Sequence, residues 1–146
     1  MEQMRTLPIG IQTFEDIREG GFLYVDKTAM VYQIAHIGKP YFLSRPRRFA
    51  KSLLISTFEA YFRGRKELFK GLAIEKLESE WKEYPVLHLD LNAEKFDSVA
   101  SLETMLDRHL NLWEDIWGKD SREKTASDRF AGIIRRACEQ TGNQVV

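Results

Sequence analysis

The sequence predicts an α/β fold with a mostly parallel sheet. Short apolar runs alternate with amphipathic stretches at helical spacing, and glycine or proline marks most of the junctions between them. At one junction an apolar run, a basic loop and an amphipathic helix follow directly on each other, the layout of a strand–turn–helix unit. Chains of that order pack helices on a sheet through right-handed crossovers.

Taken in order, residues 6–10 (TLPIG) are extended or turn-like because of Pro8 and Gly10, and Gly20–Gly21 forms a turn before a short strand over Phe22–Val25. Asp26 is placed to cap a helix that starts near Lys27 or Thr28, carries Val31, Ile34 and Ala35 on one face, and stops before Gly38 and Pro40. Tyr41–Phe42–Leu43 reads as a buried strand. Leu54, Phe58, Tyr61 and Phe62 recur at helical spacing up to Gly64, and Gly71 lies in a turn. Residues 85–91 read as a strand with Leu87, Leu89 and Leu91 on one face. Two helical stripes follow, Leu102–Leu106–Leu110–Trp113–Trp117 and Phe130–Ile133–Ile134–Ala137, the second ending near Gly142. Gln144–Val145–Val146 has the look of a further strand beginning, so the sheet is expected to be incomplete at the C-terminus and the chain to be a fragment of a longer protein. No repeat or low-complexity linker interrupts the pattern.

At 146 residues, with 43% hydrophobic and 30% charged residues, the chain has the composition of one folded domain with a real core. Its formal net charge of +0 gives no overall electrostatic drive toward nucleic acid or a membrane surface. The N-terminus lacks an apolar run that would serve as a signal peptide, and no stretch approaches the roughly 18 apolar residues of a membrane span. The single cysteine, Cys138, has no intrachain partner for a disulfide, which fits a reducing, cytoplasmic setting.

The basic loop is the segment with chemistry in it. SRPRRFAKS, residues 44–52, nearly matches the phosphate-binding pattern G-x-x-x-x-G-K-[ST], with Lys51 and Ser52 in its last two places and Arg45 and Ala50 where the glycines belong. A loop between strand and helix aims backbone N–H groups and the positive end of a helix dipole at an anion. Lys51 would reach the outer phosphates, Ser52 would bind Mg²⁺ through its hydroxyl, and Arg45, Arg47 and Arg48 would add charge-assisted bonds to phosphate oxygens. The competing reading is a solvated basic turn in front of a core helix.

Other residues have plainer readings. Asp90 ends a strand at the edge where α/β sheets bind ligands, but a turn or helix cap is the favoured reading. His88 and Asp90 alone make a poor metal site. His36 and His109 sit in helical patterns as surface or interface residues. Cys138 reads as core, as do Trp113 and Trp117. Asp26 and Lys27 form a pair near the loop or, for Asp26, a simple helix cap.

Three blocks widen the context: LPIGIQTFEDIREGGFLYVDKT (7–28), YFLSRPRRFAKSLLISTFEAYFRGRKELFKGLAIEKL (41–77) and YPVLHLDL (84–91). Through them the chain resembles, over essentially its whole length, a bacterial family of AAA-ATPase-like proteins. The resemblance implies a P-loop NTPase-like three-layer sandwich, with residues 1–38 as a lead segment and first helix and 39–146 as the P-loop core. It also implies ATP and Mg²⁺ as ligands, held by a loop comprising Arg45, Pro46, Arg47, Arg48, Phe49, Ala50, Lys51 and Ser52, with Ser52 on the metal. In the family this loop usually reads RPRRFGKS, so Arg45 conforms and Ala50 departs. If the glycine needs a positive φ, alanine costs about 1–2 kcal/mol of strain, which charged entirely to binding is roughly five- to thirtyfold in affinity. Relatives continue into a strand bearing an Asp-Glu motif that supplies metal-organising and catalytic acids, often followed by a restriction-type nuclease-like domain. Val145 and Val146 resemble the start of that strand, so no turnover is expected of residues 1–146. The expectations are thus a degenerate ATP-binding domain of an ATPase parent or, alternatively, a non-catalytic module or truncated gene product acting by partner contact, with self-association through an exposed sheet edge in either case.

Overall fold

The computed structural model describes residues 5–46, 50–91 and 98–146. Among them are five α-helices, two short 3-10 helices and no strand. The chain divides into two compact units, Met1–Glu83 and Tyr84–Val146.

In the first unit α1 (Phe14–Glu19) is capped by Thr13, whose hydroxyl accepts from the Asp16 N–H, and carries acids in its first turn, where they favour the helix dipole. Helix α2 (Thr28–Ile37) ends at Gly38, which takes the left-handed conformation at φ 64°. Helix α3 (Lys51–Phe62) follows the basic loop and is closed by a turn at Gly64. The 3-10 helices Lys66–Phe69 and Ala73–Lys76 come next. Phe14, Val31, Tyr61, Leu68, Phe69 and Ile74 are the centre of the core. Phe14 stacks at a tilt on Phe69 (4.7 Å between ring centroids) and edge-on to Tyr24 (5.2 Å).

In the second unit α4 (Val99–Trp117) and α5 (Ala126–Thr141) pack on each other, and each opens with a reciprocal capping box, Ser98 with Ser101 and Thr125 with Asp128. Leu110, Trp113 and Ile133 form its core, with Leu87 and Trp117 against it. An apolar cavity of about 270 Å³ opens between Leu87, Leu89, Leu106, His109, Trp113 and Phe130. Polar ties flank that core. Arg129 donates to both carboxylate oxygens of Glu114 (2.7 and 2.8 Å), and also to Asp107 and Asn111. Arg136 grips Glu123 through two nitrogens (2.8 and 3.1 Å).

The α/β sandwich with a mostly parallel sheet is therefore corrected: the described structure is helical. The apolar runs 22–25, 41–43 and 85–91 are extended, yet they form no ladder among the described residues. A strand needs a neighbour to satisfy its N–H and C=O groups, and among the described residues the backbone bonds of these runs do not extend into a ladder. Leu23 N–H donates to the Thr6 carbonyl (2.9 Å); Val146 N–H donates to Pro85 (2.9 Å) and Leu87 N–H to Val146 (2.8 Å). Tyr41–Leu43, read from sequence as buried, is exposed, with Phe42 at 93%. Cys138, read as core, lies on the exposed side of α5, while Met105, outside the predicted stripe, is fully buried. Among the described residues no helix is long and apolar enough to cross a membrane.

Candidate functional site

The basic loop runs into α3, and the junction has an unusual backbone. Ala50 is in the left-handed region, φ 54° and ψ 32°, directly before the first helical residue, Lys51. This is where the phosphate-loop pattern asks for its second glycine, a residue that adopts positive φ without the strain a Cβ brings. At this one position alanine takes the left-handed conformation.

The first turn of α3 also lacks what the other helices have. Thr13, Ser98 and Thr125 cap α1, α4 and α5, and Asp26 Oδ1 accepts from the Thr28 N–H at the start of α2 (2.9 Å). Ala50 has no side chain that can cap, and the first turn of α3 holds no acid. A helix start exposes four N–H groups without intrahelical partners, and its positive end disfavours a cation. Here a lysine, Lys51, opens the helix, and both it and Ser52 are exposed. An uncapped helix start with a lysine, a hydroxyl and a left-handed residue before it suits an anion, and the donor set fits a phosphate with an associated divalent cation on Ser52.

Of the remaining predicted loop residues, Arg45 is half-buried and engaged with the protein, and Pro46 is exposed. Arg47, Arg48 and Phe49 lie outside the described residues. Among the described residues no group of three His, Cys, Asp or Glu side chains is placed to hold a metal ion.

The Asp26–Lys27 pair resolves into a structural clamp. Asp26 Oδ1 accepts from the Thr28 N–H and hydroxyl (2.9 and 2.6 Å), and Oδ2 accepts from the Ala73 N–H (2.7 Å). The fully buried Thr28 accepts in turn from the Ile74 N–H (3.1 Å). Two residues of the DKT block thereby tie the start of α2 to the second 3-10 helix. Burial pushes the Asp26 carboxyl up, but the hydrogen bonds from Thr28 and Ala73 outweigh it and hold the group below the usual range. The histidines are satisfied locally. His36 Nδ1 lies 2.9 Å from the Tyr32 carbonyl and His109 Nδ1 3.0 Å from that of Met105, each one helical turn back. His88 and Asp90 are exposed and engaged with the protein.

Sequence reasoning missed the polar ties that hold α3. Ser56, half-buried on α3, accepts from the Phe14 N–H (2.9 Å) and donates to the Leu53 carbonyl (2.9 Å). Arg18 on α1 donates to the carbonyls of Leu68 (2.7 Å) and Lys70 (2.5 Å). These bonds join residues 42 to 52 positions apart, and no local pattern marks them.

The chain is 38% identical over 143 residues to an uncharacterized protein encoded in the vnfD 5′ region of Azotobacter chroococcum mcd 1. The match covers 97% of this chain but 28% of that protein, so the chain spans less than a third of its relative's length. No solved structure matches. Residues 8–146 match the family described as predicted AAA-ATPase, and the left-handed turn into Lys51–Ser52 lies within that span. The chain belongs to the predicted AAA-ATPase family.

Proposed function

We propose that this chain is the nucleotide-binding part of an ATPase, with the phosphates of Mg–ATP seated on the loop 45–52 and the start of α3. The reading is carried by one observation: Lys51 and Ser52 open an uncapped helix immediately after a residue in the left-handed conformation. Lys51 would neutralise the outer phosphates, and the N–H groups of the first turn would donate to phosphate oxygens, with no capping side chain among the described residues in competition. Ser52 would contribute its hydroxyl to the Mg²⁺ shell. Arg45 flanks the same loop; Arg47 and Arg48, by the family pattern, add positive charge to it. ATP supplies the transferable phosphoryl group when bound, and binding is the step assigned to residues 1–146. Hydrolysis, and whatever motion it drives, belongs in this proposal to the whole protein, of which a relative is more than three times as long as its matching part.

The test is calorimetric titration of the chain with Mg–ATP. The parent should bind, Lys51→Ala should bind at least about tenfold more weakly, the scale of one charge-assisted phosphate contact, and Ser52→Ala should lose the Mg²⁺ dependence. Identical titrations for the parent and both variants would leave the loop as a solvated basic turn and favour a module that acts by contact alone.

A further inference from the structure

The start of α3 has to be held in place for its N–H groups to meet a ligand, and there the apolar core is met by the half-buried Leu53 and Leu54 rather than by fully buried residues. The buried residues of α3 are Thr57, Ala60 and Tyr61, all in its C-terminal half. In the N-terminal half Lys51, Ser52 and Ile55 are exposed, and Leu53 and Leu54 are half-buried. The cross-element bond nearest the Lys51–Ser52 turn is made by Ser56. Its hydroxyl uses both of its capacities, donating back to the Leu53 carbonyl and accepting from the N–H of Phe14.

That N–H is the first of α1 and has no partner inside its own helix, since the Thr13 cap serves Asp16. Phe14 itself is fully buried at the centre of the core. Helix α1 is fixed at its other end by Arg18, through the carbonyls of Leu68 and Lys70. A chain of bonds therefore runs from the first 3-10 helix through α1 to Ser56, and ends one turn after Ser52.

We propose that Ser56 is a positioning residue for the nucleotide site, its hydroxyl locking the N-terminal half of α3 to α1 and so setting where the Lys51–Ser52 turn stands. This rests on the nucleotide reading given above, but the bond exists without a ligand and is testable without one. Ser56→Ala removes the acceptor for Phe14 and the bond back to Leu53. Ser56→Thr keeps the hydroxyl.

The test pairs hydrogen–deuterium exchange on the free chain with Mg–ATP titration. In Ser56→Ala, amide exchange should rise selectively at Phe14 and over residues 54–56, the first amides of α3 with intrahelical partners, with the C-terminal half of α3 near parent rates, and Mg–ATP affinity should fall about fivefold, the scale of one lost hydrogen bond. Ser56→Thr should restore both. A uniform rise in exchange across the first unit, with unchanged affinity, would show that Ser56 merely stabilises the fold and would overturn the proposal. If the parent binds no Mg–ATP, the nucleotide reading falls separately. Exchange at Phe14 and over 54–56 then still decides whether Ser56 positions that turn: a selective rise supports it, and parent-like exchange refutes it.

Discussion

Replacing Ala50 with glycine separates two effects that sequence alone runs together. Ala50 sits at φ 54° and ψ 32° in the ligand-free chain. An L-residue in this region carries about 1–2 kcal/mol of strain, and glycine relieves it. Glycine also gives the unfolded chain more freedom, which costs about 0.4–1 kcal/mol. The difference leaves Ala50→Gly more stable by about 0.5–1 kcal/mol. With the left-handed turn a part of the fold itself, this strain is borne in folding and cancels from binding. Affinity for Mg–ATP should therefore change by less than about threefold, below 1 kcal/mol, in place of the five- to thirtyfold that follows when all the strain is charged to the ligand. Urea denaturation of the first unit, read through Trp81 fluorescence in a chain with Trp113 and Trp117 replaced by phenylalanine, measures the first quantity and calorimetry the second. The reasoning is refuted if Ala50→Gly leaves stability unchanged while tightening binding tenfold. That outcome would mean that the turn forms only around the ligand, or that the alanine methyl obstructs it.

Other perturbations test the scaffold. Gly132→Ala would set a Cβ 1.8 Å from Glu123 Oε1, so Glu123 must swing out of its two-point contact with Arg136. Despite alanine's better helix propensity the second unit should lose about 1–3 kcal/mol in chemical denaturation, and Glu123→Ala in the same background should cost little more. Arg129→Met takes both close bonds from Glu114, whose side chain is 4% exposed, and leaves it Lys119 at 3.8 Å; it should cost about 1–3 kcal/mol, while Glu114→Met with Arg129→Met should recover most of it. Asp26→Asn leaves the Ala73 N–H facing an amide without a second acceptor and should cost about 1–2 kcal/mol at neutral pH, solvent screening included. The Asp26 pKa is lowered on folding, so its contribution is present above the unfolded carboxylate value and disappears as pH falls through the lower folded value. The gap between parent and Asp26→Asn should narrow accordingly in acid denaturation series.

What the sequence disclosed and what it hid divide along the range of the interactions involved. Helices α2 to α5 were readable because their signals are local: apolar residues at helical spacing, and Gly38 and Gly142 in the left-handed conformation just past two of the helix ends. Helix α1 was not readable. Six residues give too little periodicity, and it is held by Arg18 bonding to carbonyls 50 and 52 positions away. The strands failed for the same reason in reverse. Runs 22–25, 41–43 and 85–91 have the composition of strands, but strand character is a property of a pair, and composition does not say whether a partner is there. Cys138 was misplaced because cysteine is a commonly buried residue type, whereas the helical stripe had already put its neighbour Ala137 on the core face, where it is fully buried.

The site shows both sides of this division at once. Lys51 and Ser52 stood out as a motif, and the pattern raised a positive φ at residue 50 as a condition, which the structure has at φ 54°. Asp26 was legible as a cap, which it is, through Oδ1. Its second oxygen, reaching Ala73 across 47 positions, was not. The same holds for Ser56, which has no motif value and reads as one more hydroxyl in a helix until Phe14 is placed beside it. Local pattern thus identifies the groups that would touch a phosphate. The bonds that fix their position are long-range, and they become visible only when the chain is folded.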